Sequence, residues 1–217
     1  MGLEAAVQMT EKTQRRLGRP PRTENQRERI LHEAAVLFAR GGFDASSLTE
    51  LAEETGISKA GIYHYFKTKQ EVYDAIIIQT LQGLIEHVET AVREREQPYE
   101  RLMVFMSAHA AYFERNYWAF RAMLISFSAM SAPVSRAEAA ALRERYELLL
   151  RAIITDGVER GEFRDVDPAS AGRAILSLLN WMARWFHVDG PKPASAFALE
   201  YADLLLRGLH SREHAGG

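Results

Sequence analysis

The sequence predicts an all-α protein of about nine helices, with a three-helix helix-turn-helix unit near the N-terminus followed by a larger helical body. Three observations carry this. No run of alternating β-branched residues and no Asn-Gly or Asp-Gly hairpin turn is present. Apolar residues recur at helical spacing, as at Ile30, Ala34, Leu37 and Phe38. Helix punctuation is dense: Thr23 to Gln26, Ser47 to Glu50 and Thr68 to Glu71 each place a hydroxyl three residues before a Gln or Glu, the capping-box pattern.

The elements follow from that punctuation. The first helix is expected over 24–40, closed by Gly41-Gly42, the second over 48–55 and the third over 59–66. A long fourth covers 69–96. The fifth, over 98–114, starts at Gln97-Pro98, where proline suits a first helical turn. The sixth covers 117–128, the seventh 133–160 and the eighth 168–188, opened by Asp167-Pro168. The last covers 194–210, after Gly190-Pro191.

The 217 residues suit one medium or two small domains, and 47% hydrophobic content is enough for a sizeable core. With no cysteine, a disulfide scaffold, a thiol nucleophile and every Cys-ligated metal centre are excluded, which fits a cytoplasmic protein. No apolar run reaches the ~20 residues that span a bilayer, so no membrane partner is expected. The first twenty residues hold Glu4 and Glu11 and no apolar stretch of the kind that directs secretion. Charge is uneven. Residues 12–29 carry seven basic against two acidic side chains, a net of +5, whereas residues 71–217 carry 16 basic and 20 acidic, a net of −4. A basic head on an acidic body is the asymmetry expected where one end meets nucleic acid, although a solvated basic tail gives the same count.

Between the second and third helices, Thr55-Gly56-Ile57-Ser58 makes a tight turn. Gly56 can take positive φ, Ser58 can cap the next helix and Ile57 plugs between the two. In the third helix Ile62 and Phe66 face inward, leaving Lys59, Ala60, Gly61, Tyr63 and His64 outward. Gly61 weakens a helix by about 1 kcal/mol relative to Ala, and smallness there suits close approach to a groove floor.

The stretches Ala35–Phe43 (AVLFARGGF), Ser46–Ala52 (SSLTELA), Gly56–Phe66 (GISKAGIYHYF) and Lys69–Val72 resemble the DNA-binding domain of the TetR family of transcriptional repressors. The resemblance implies a homodimer that lays the third helix of each subunit in the major groove of palindromic double-stranded operator DNA. It implies a division into a flexible basic arm (1–22), a DNA-binding domain (23–68), a ligand-binding and dimerisation domain (69–211) and a disordered tail (212–217). Matching positions assign Lys59, Ala60 and Gly61 to the base-reading end of the helix, where Lys can donate to guanine and Ala can touch a thymine methyl, and count Ser58 among the DNA-binding residues. Ser47, Tyr63, His64, Tyr65 and Lys69 match positions that grip the phosphate backbone and so set register. The arm Gly18-Arg19-Pro20-Pro21-Arg22 resembles the core of an AT-hook, a short motif, and offers Arg19 and Arg22 to a narrow minor groove.

The body is rich in large aromatics and Met, which read first as core and also suit an adaptable apolar pocket. The stretch from Asn180 to Pro191 and the last helix resemble a TetR subgroup that controls degradation of fatty acids, sterols and aromatic acids and releases DNA on binding acyl-CoA thioesters. The implied partner is a small hydrophobic effector, an acyl-CoA, held by Phe105, His109, Met123, Phe127, Trp181 and Trp185, with no other cofactor. Arg184 is a candidate for CoA phosphate or adenine, or for a plain salt bridge. Ala174, Ile175, Leu178, Leu205 and Leu209 are the expected dimer contacts.

Other classes fare worse. No phosphate-binding glycine loop, nucleophile elbow or His-Glu-x-x-His motif is present, so neither an enzyme nor a metal centre is expected. A multidrug-type or free-acid sensor and a constitutive DNA-binding protein remain as alternatives.

Overall fold

The computed structural model describes residues 22–125 and 132–207, and among these every regular element is a helix. The order is α1 (Arg22–Gly41), α2 (Leu48–Thr55), α3 (Lys59–Tyr65), α4 (Lys69–Arg93), α5 (Pro98–Arg115), α6 (Tyr117–Ile125), α7 (Pro133–Glu159), α8 (Pro168–Trp185) and α9 (Ala194–Arg207).

The capping signals act where the sequence places them, with one exception. Ser47 accepts from the Glu50 amide while the Glu50 carboxylate accepts from the Ser47 amide, so both halves of the box are closed. Thr68 accepts from the Glu71 amide at 3.1 Å, but Glu71 reaches back to the amide of Lys67 rather than to that of its cap. Asp167 accepts from the Ser170 amide at 2.8 Å, and the Ser170 side chain together with that amide holds its carboxyl below the usual carboxylate range. The exception is Thr23, which lies inside α1 because that helix starts at Arg22. Two other bounds shift by three residues. α4 stops at Arg93, three residues sooner than its charge-rich end implies. α8 stops at Trp185 because Phe186 takes an extended backbone (φ −68°, ψ 139°). The expected ends of α6 and α9 lie outside the described residues.

α4 joins the two halves of the molecule. Its first turns bury Val72, Tyr73, Ile76 and Ile77 and its later turns Leu81, Leu84, Ile85, Val88 and Val92. Tyr73 is fully buried against Phe38 and Phe43, with ring centroids 5.8 and 4.9 Å away. Burying one such aromatic contributes about 1.5–3 kcal/mol, so this cluster is a main fastening between α1 and α4. In the body, α5 packs between α4, α7 and α9, and α6 bridges α1 to α8.

Candidate nucleic-acid interface and effector core

The turn between α2 and α3 is built from local bonds. Gly56 adopts φ +63° and its amide donates to Glu53. A side chain there would be strained, which accounts for glycine. Thr55, fully buried, donates its hydroxyl to the Leu51 carbonyl at 2.7 Å and accepts from the Ile57 amide at 3.2 Å. Arg29 of α1 donates to the Thr55 carbonyl at 2.5 Å, so a cation closes the C-terminal end of α2. Ser58 then caps α3 by accepting from the Gly61 amide at 3.1 Å.

The inner side of α3 is Ile62, fully buried, and Phe66 follows it into the core. Lys59, Ala60, Tyr63 and His64 are exposed together on the outer side. Lys67 extends that face and donates to the Tyr63 carbonyl. Exposed Ser47 keeps its hydroxyl proton available, since its oxygen only accepts from Glu50. Tyr65 is half-buried, with its hydroxyl 3.4 Å from Gln26. Arg27, which the motif did not single out, is exposed beside this surface with its guanidinium 5.4 Å from the Phe66 ring centre. Arg19 lies outside the described residues, and Arg22 belongs to α1 rather than to an extended arm.

Two expected roles change. The Lys69 ammonium donates to the carbonyls of Phe43 (2.6 Å) and Ser46 (2.8 Å), with Asp44 at 3.4 Å, and sits 4.3 Å from the Phe43 ring centre. It fastens α4 to the α1–α2 loop, and its charge is already engaged. Gly61 is half-buried, and a Cβ there would stand 2.8 Å from Cγ2 of Ile57. Its smallness serves contact with the plug of its own turn.

In the body, Phe105, His109 and Met123 are all buried. The His109 Nδ1 lies 2.8 Å from the Tyr146 hydroxyl. Tyr146 stacks on Phe105 with centroids 5.0 Å apart, and Phe120 of α6 meets the imidazole edge-on at 5.4 Å. Burial pushes the His109 pKa down to about 3 and raises that of Tyr146. Tyr146 was not among the expected residues, although Ala139, Tyr146, Leu150 and Ile153 form the buried stripe of α7 and their spacing is legible.

Trp181 does not join this cluster. α8 buries Gly172, Ile175, Leu179, Met182 and Ala183, which turns Trp181 outward, 62% exposed, with exposed Arg184 stacked 5.4 Å from its ring centre. Trp185 is half-buried against Phe197, and Phe127 lies outside the described residues. Of the expected dimer contacts, Ala174 and Leu205 are exposed and Leu178 is half-buried. Ile175 is buried in its own chain, because it shares the inward stripe of α8. Leu209 lies outside the described residues.

α6 ties this core to α1 and α4. Trp118 receives the Arg40 guanidinium 5.0 Å from its ring centre, and the Tyr73 hydroxyl donates to the Ala122 carbonyl at 3.3 Å. Among the described residues no group of three or more His, Asp or Glu side chains is placed to hold a metal ion, and no helix is long and apolar enough to cross a membrane.

A helix-turn-helix head with an outward polar face, joined by one long helix to an aromatic-lined helical body, defines a one-component regulator architecture. The model of bacterial regulatory proteins of the tetR family matches residues 30–76, and that of the tetracyclin repressor-like C-terminal domain matches residues 95–209. The chain belongs to the tetR family and is a DNA-binding transcriptional regulator. It is 50% identical to the TetR family transcriptional regulator PfmR from Thermus thermophilus, with a TM-score of 0.80 over 84% of this chain and 100% of that one. It is 25% identical to AibR, solved in complex with isovaleryl coenzyme A and operator DNA, with a TM-score of 0.75 over 82% of this chain and 97% of that one. Among curated relatives, the transcriptional repressor KstR2 of Mycobacterium tuberculosis is 24% identical over 189 residues, 85% of this chain and 93% of that protein.

Proposed function

We propose that this regulator is a repressor that binds a palindromic operator as a homodimer and leaves it when an acyl-CoA thioester enters the helical body. The observation that carries the reading is the outer face of α3, where Lys59, Ala60, Tyr63 and His64 stand exposed on a helix whose inner side is sealed by Ile62 and Phe66. Lys59 and Ala60 read base edges, while Ser47, Tyr63, His64 and Tyr65 hold the backbone. The division falls at the start of α4, with residues 23–68 reading DNA and 69–211 sensing the effector and dimerising. The DNA sets the cytoplasm as the place of action.

Trp181, Leu205 and Ala174, all exposed on α8 and α9, give the apolar surface for a two-fold contact. Two such subunits present their α3 helices to half-sites about one helical turn, ~34 Å, apart. The complex of AibR with isovaleryl coenzyme A and operator DNA supports the effector class. The effector has to prefer the DNA-incompetent arrangement, since equal affinity for both states shifts nothing. Two routes lead from the body to the head: α4, roughly 38 Å long at ~1.5 Å per residue, and α6 through its contacts with Arg40 and Tyr73.

Gel-shift competition between genomic palindromes and random DNA, repeated with added acyl-CoA, tests the reading. Preference for one palindrome, relieved by an acyl-CoA, is expected; equal affinity for random DNA removes it. The close packing around His109 favours a second reading, a constitutive regulator without an effector. A thermal-shift panel of acyl-CoAs, free acids and hydrophobic drugs separates the two, since a ligand at 100 times its Kd adds about 2.7 kcal/mol of stability. Sedimentation of the Trp181→Glu variant checks the dimer: half the native mass at micromolar concentration is expected.

A further inference from the structure

We propose that the Nε2–H of His109 donates a hydrogen bond to the acyl carbonyl oxygen of the effector, that Tyr146 is the positioning residue which directs the proton to Nε2, and that the effector is therefore read as a thioester and not as a free carboxylate. This rests on the effector reading above and adds the atom that recognises the acyl group.

A buried phenol sets the tautomer of the imidazole. Tyr146 is 5% exposed, and its hydroxyl lies 2.8 Å from Nδ1 of His109. Phe105 stacks on the phenol ring and the hydroxyl meets Nδ1, so the phenolic proton goes to Nδ1. Nδ1 is then the acceptor, and a neutral imidazole carries its own proton on Nε2. Nε2 is buried and has no hydrogen-bond partner among the described residues. An unmet buried donor is costly, and an incoming acceptor recovers that cost.

The chemistry of the box selects that acceptor. Phe120 and Tyr146 flank the imidazole, Phe105 stacks on Tyr146, and these rings suit an acyl chain beside a single polar point. Burial lowers the His109 pKa, so the ring is held neutral. The half-buried cation of the same α7 face, Arg143, is already engaged. A carboxylate placed here would lose its hydration against a neutral donor, whereas a thioester carbonyl loses little. Phe120, 5.4 Å from the imidazole centre, belongs to α6, the helix that also contacts Arg40 and Tyr73.

The test uses the full chain and three probe sets: isovaleryl-, octanoyl- and palmitoyl-CoA, the matching S-alkyl-CoA thioethers in which a methylene replaces the carbonyl, and the free acids. Calorimetry should show the native protein binding at least one thioester about 10-fold to 100-fold more tightly than its thioether. In His109→Leu that ratio should fall to about one, and in Tyr146→Phe it should narrow, because the tautomer is no longer held. Nitrogen NMR of the unmutated, histidine-labelled protein reads the same point without relying on either variant's fold: the His109 proton should sit on Nε2 and its signal should move with thioester but not with thioether. A proton on Nδ1, equal binding of thioester and thioether, a preference that survives in folded His109→Leu, or free acids binding as tightly as thioesters would each overturn the inference while leaving a CoA effector in place. Failure of every CoA compound to bind instead overturns the effector reading, and this inference with it.

Discussion

The guanidinium of Arg40, in the last turn of α1, stands 5.0 Å from the ring centre of Trp118 at the start of α6. The two residues are far apart in sequence and belong to the two halves of the regulator, so this contact is a direct tie between the reading head and the sensing body. Arg40→Ala should lower unfolding stability by about 0.5–1 kcal/mol, the worth of an exposed cation–π pair. The larger effect is expected in coupling, with operator affinity becoming less responsive to effector. Fluorescence anisotropy on operator DNA, with and without effector, checks this, and an unchanged ratio would remove Arg40 from the signalling route.

Lys69→Ala should destabilise the protein by about 1.5–3 kcal/mol, the range for hydrogen bonds made by a charged group. The dependence of operator affinity on salt should stay the same, because the ammonium is bound to the Phe43 and Ser46 carbonyls. Urea unfolding and salt titration measure the two effects separately. A salt slope reduced by about 0.9, with unaltered stability, would return Lys69 to a phosphate.

Gly61→Ala should cost about 1–3 kcal/mol through crowding against Ile57, despite the better helix propensity of alanine. Ile57→Leu removes the Cγ2 methyl that a Cβ at position 61 would meet, so the double variant should regain part of the loss. Thermal unfolding of both variants decides it: a Gly61→Ala protein more stable than the native one would mean that the turn relaxes freely.

His109 makes stability depend on pH. Its pKa is about 3 in the folded chain against an ordinary 6.5, so the unfolded chain binds the extra proton first. The contribution is fully present above about pH 6.5, is lost as pH falls below that value, and stops changing near the folded pKa of about 3. The slope within that window approaches 1.4 kcal/mol per pH unit, as an order of magnitude. Urea titrations at several pH values between 7.5 and 4.5 should show a shallower dependence in His109→Gln than in the native protein. Parallel curves would show that the imidazole is already protonated within the fold.

The order of the helices, most of their caps and the turn at Gly56 were legible in the sequence, because they depend chiefly on partners within four residues. Ser47 with Glu50, Ser58 with Gly61 and Asp167 with Ser170 are such pairs. The outer face of α3 was legible for the same reason: Ile62 and Phe66 fix the inward direction, and a helix then leaves little choice for its neighbours. Tertiary structure decided everything that depends on how one helix is rotated against another. It placed the Lys69 ammonium on a carbonyl 26 residues away and the Tyr146 hydroxyl on an imidazole 37 residues away. It also turned Trp181 outward and Ile175 inward on α8. A hydrophobic pattern shows that a helix has a buried side, but an aromatic or long polar residue near the edge of that stripe can fall to either side. Which way it falls is set by the volume and the hydrogen-bonding groups of segments distant in the chain.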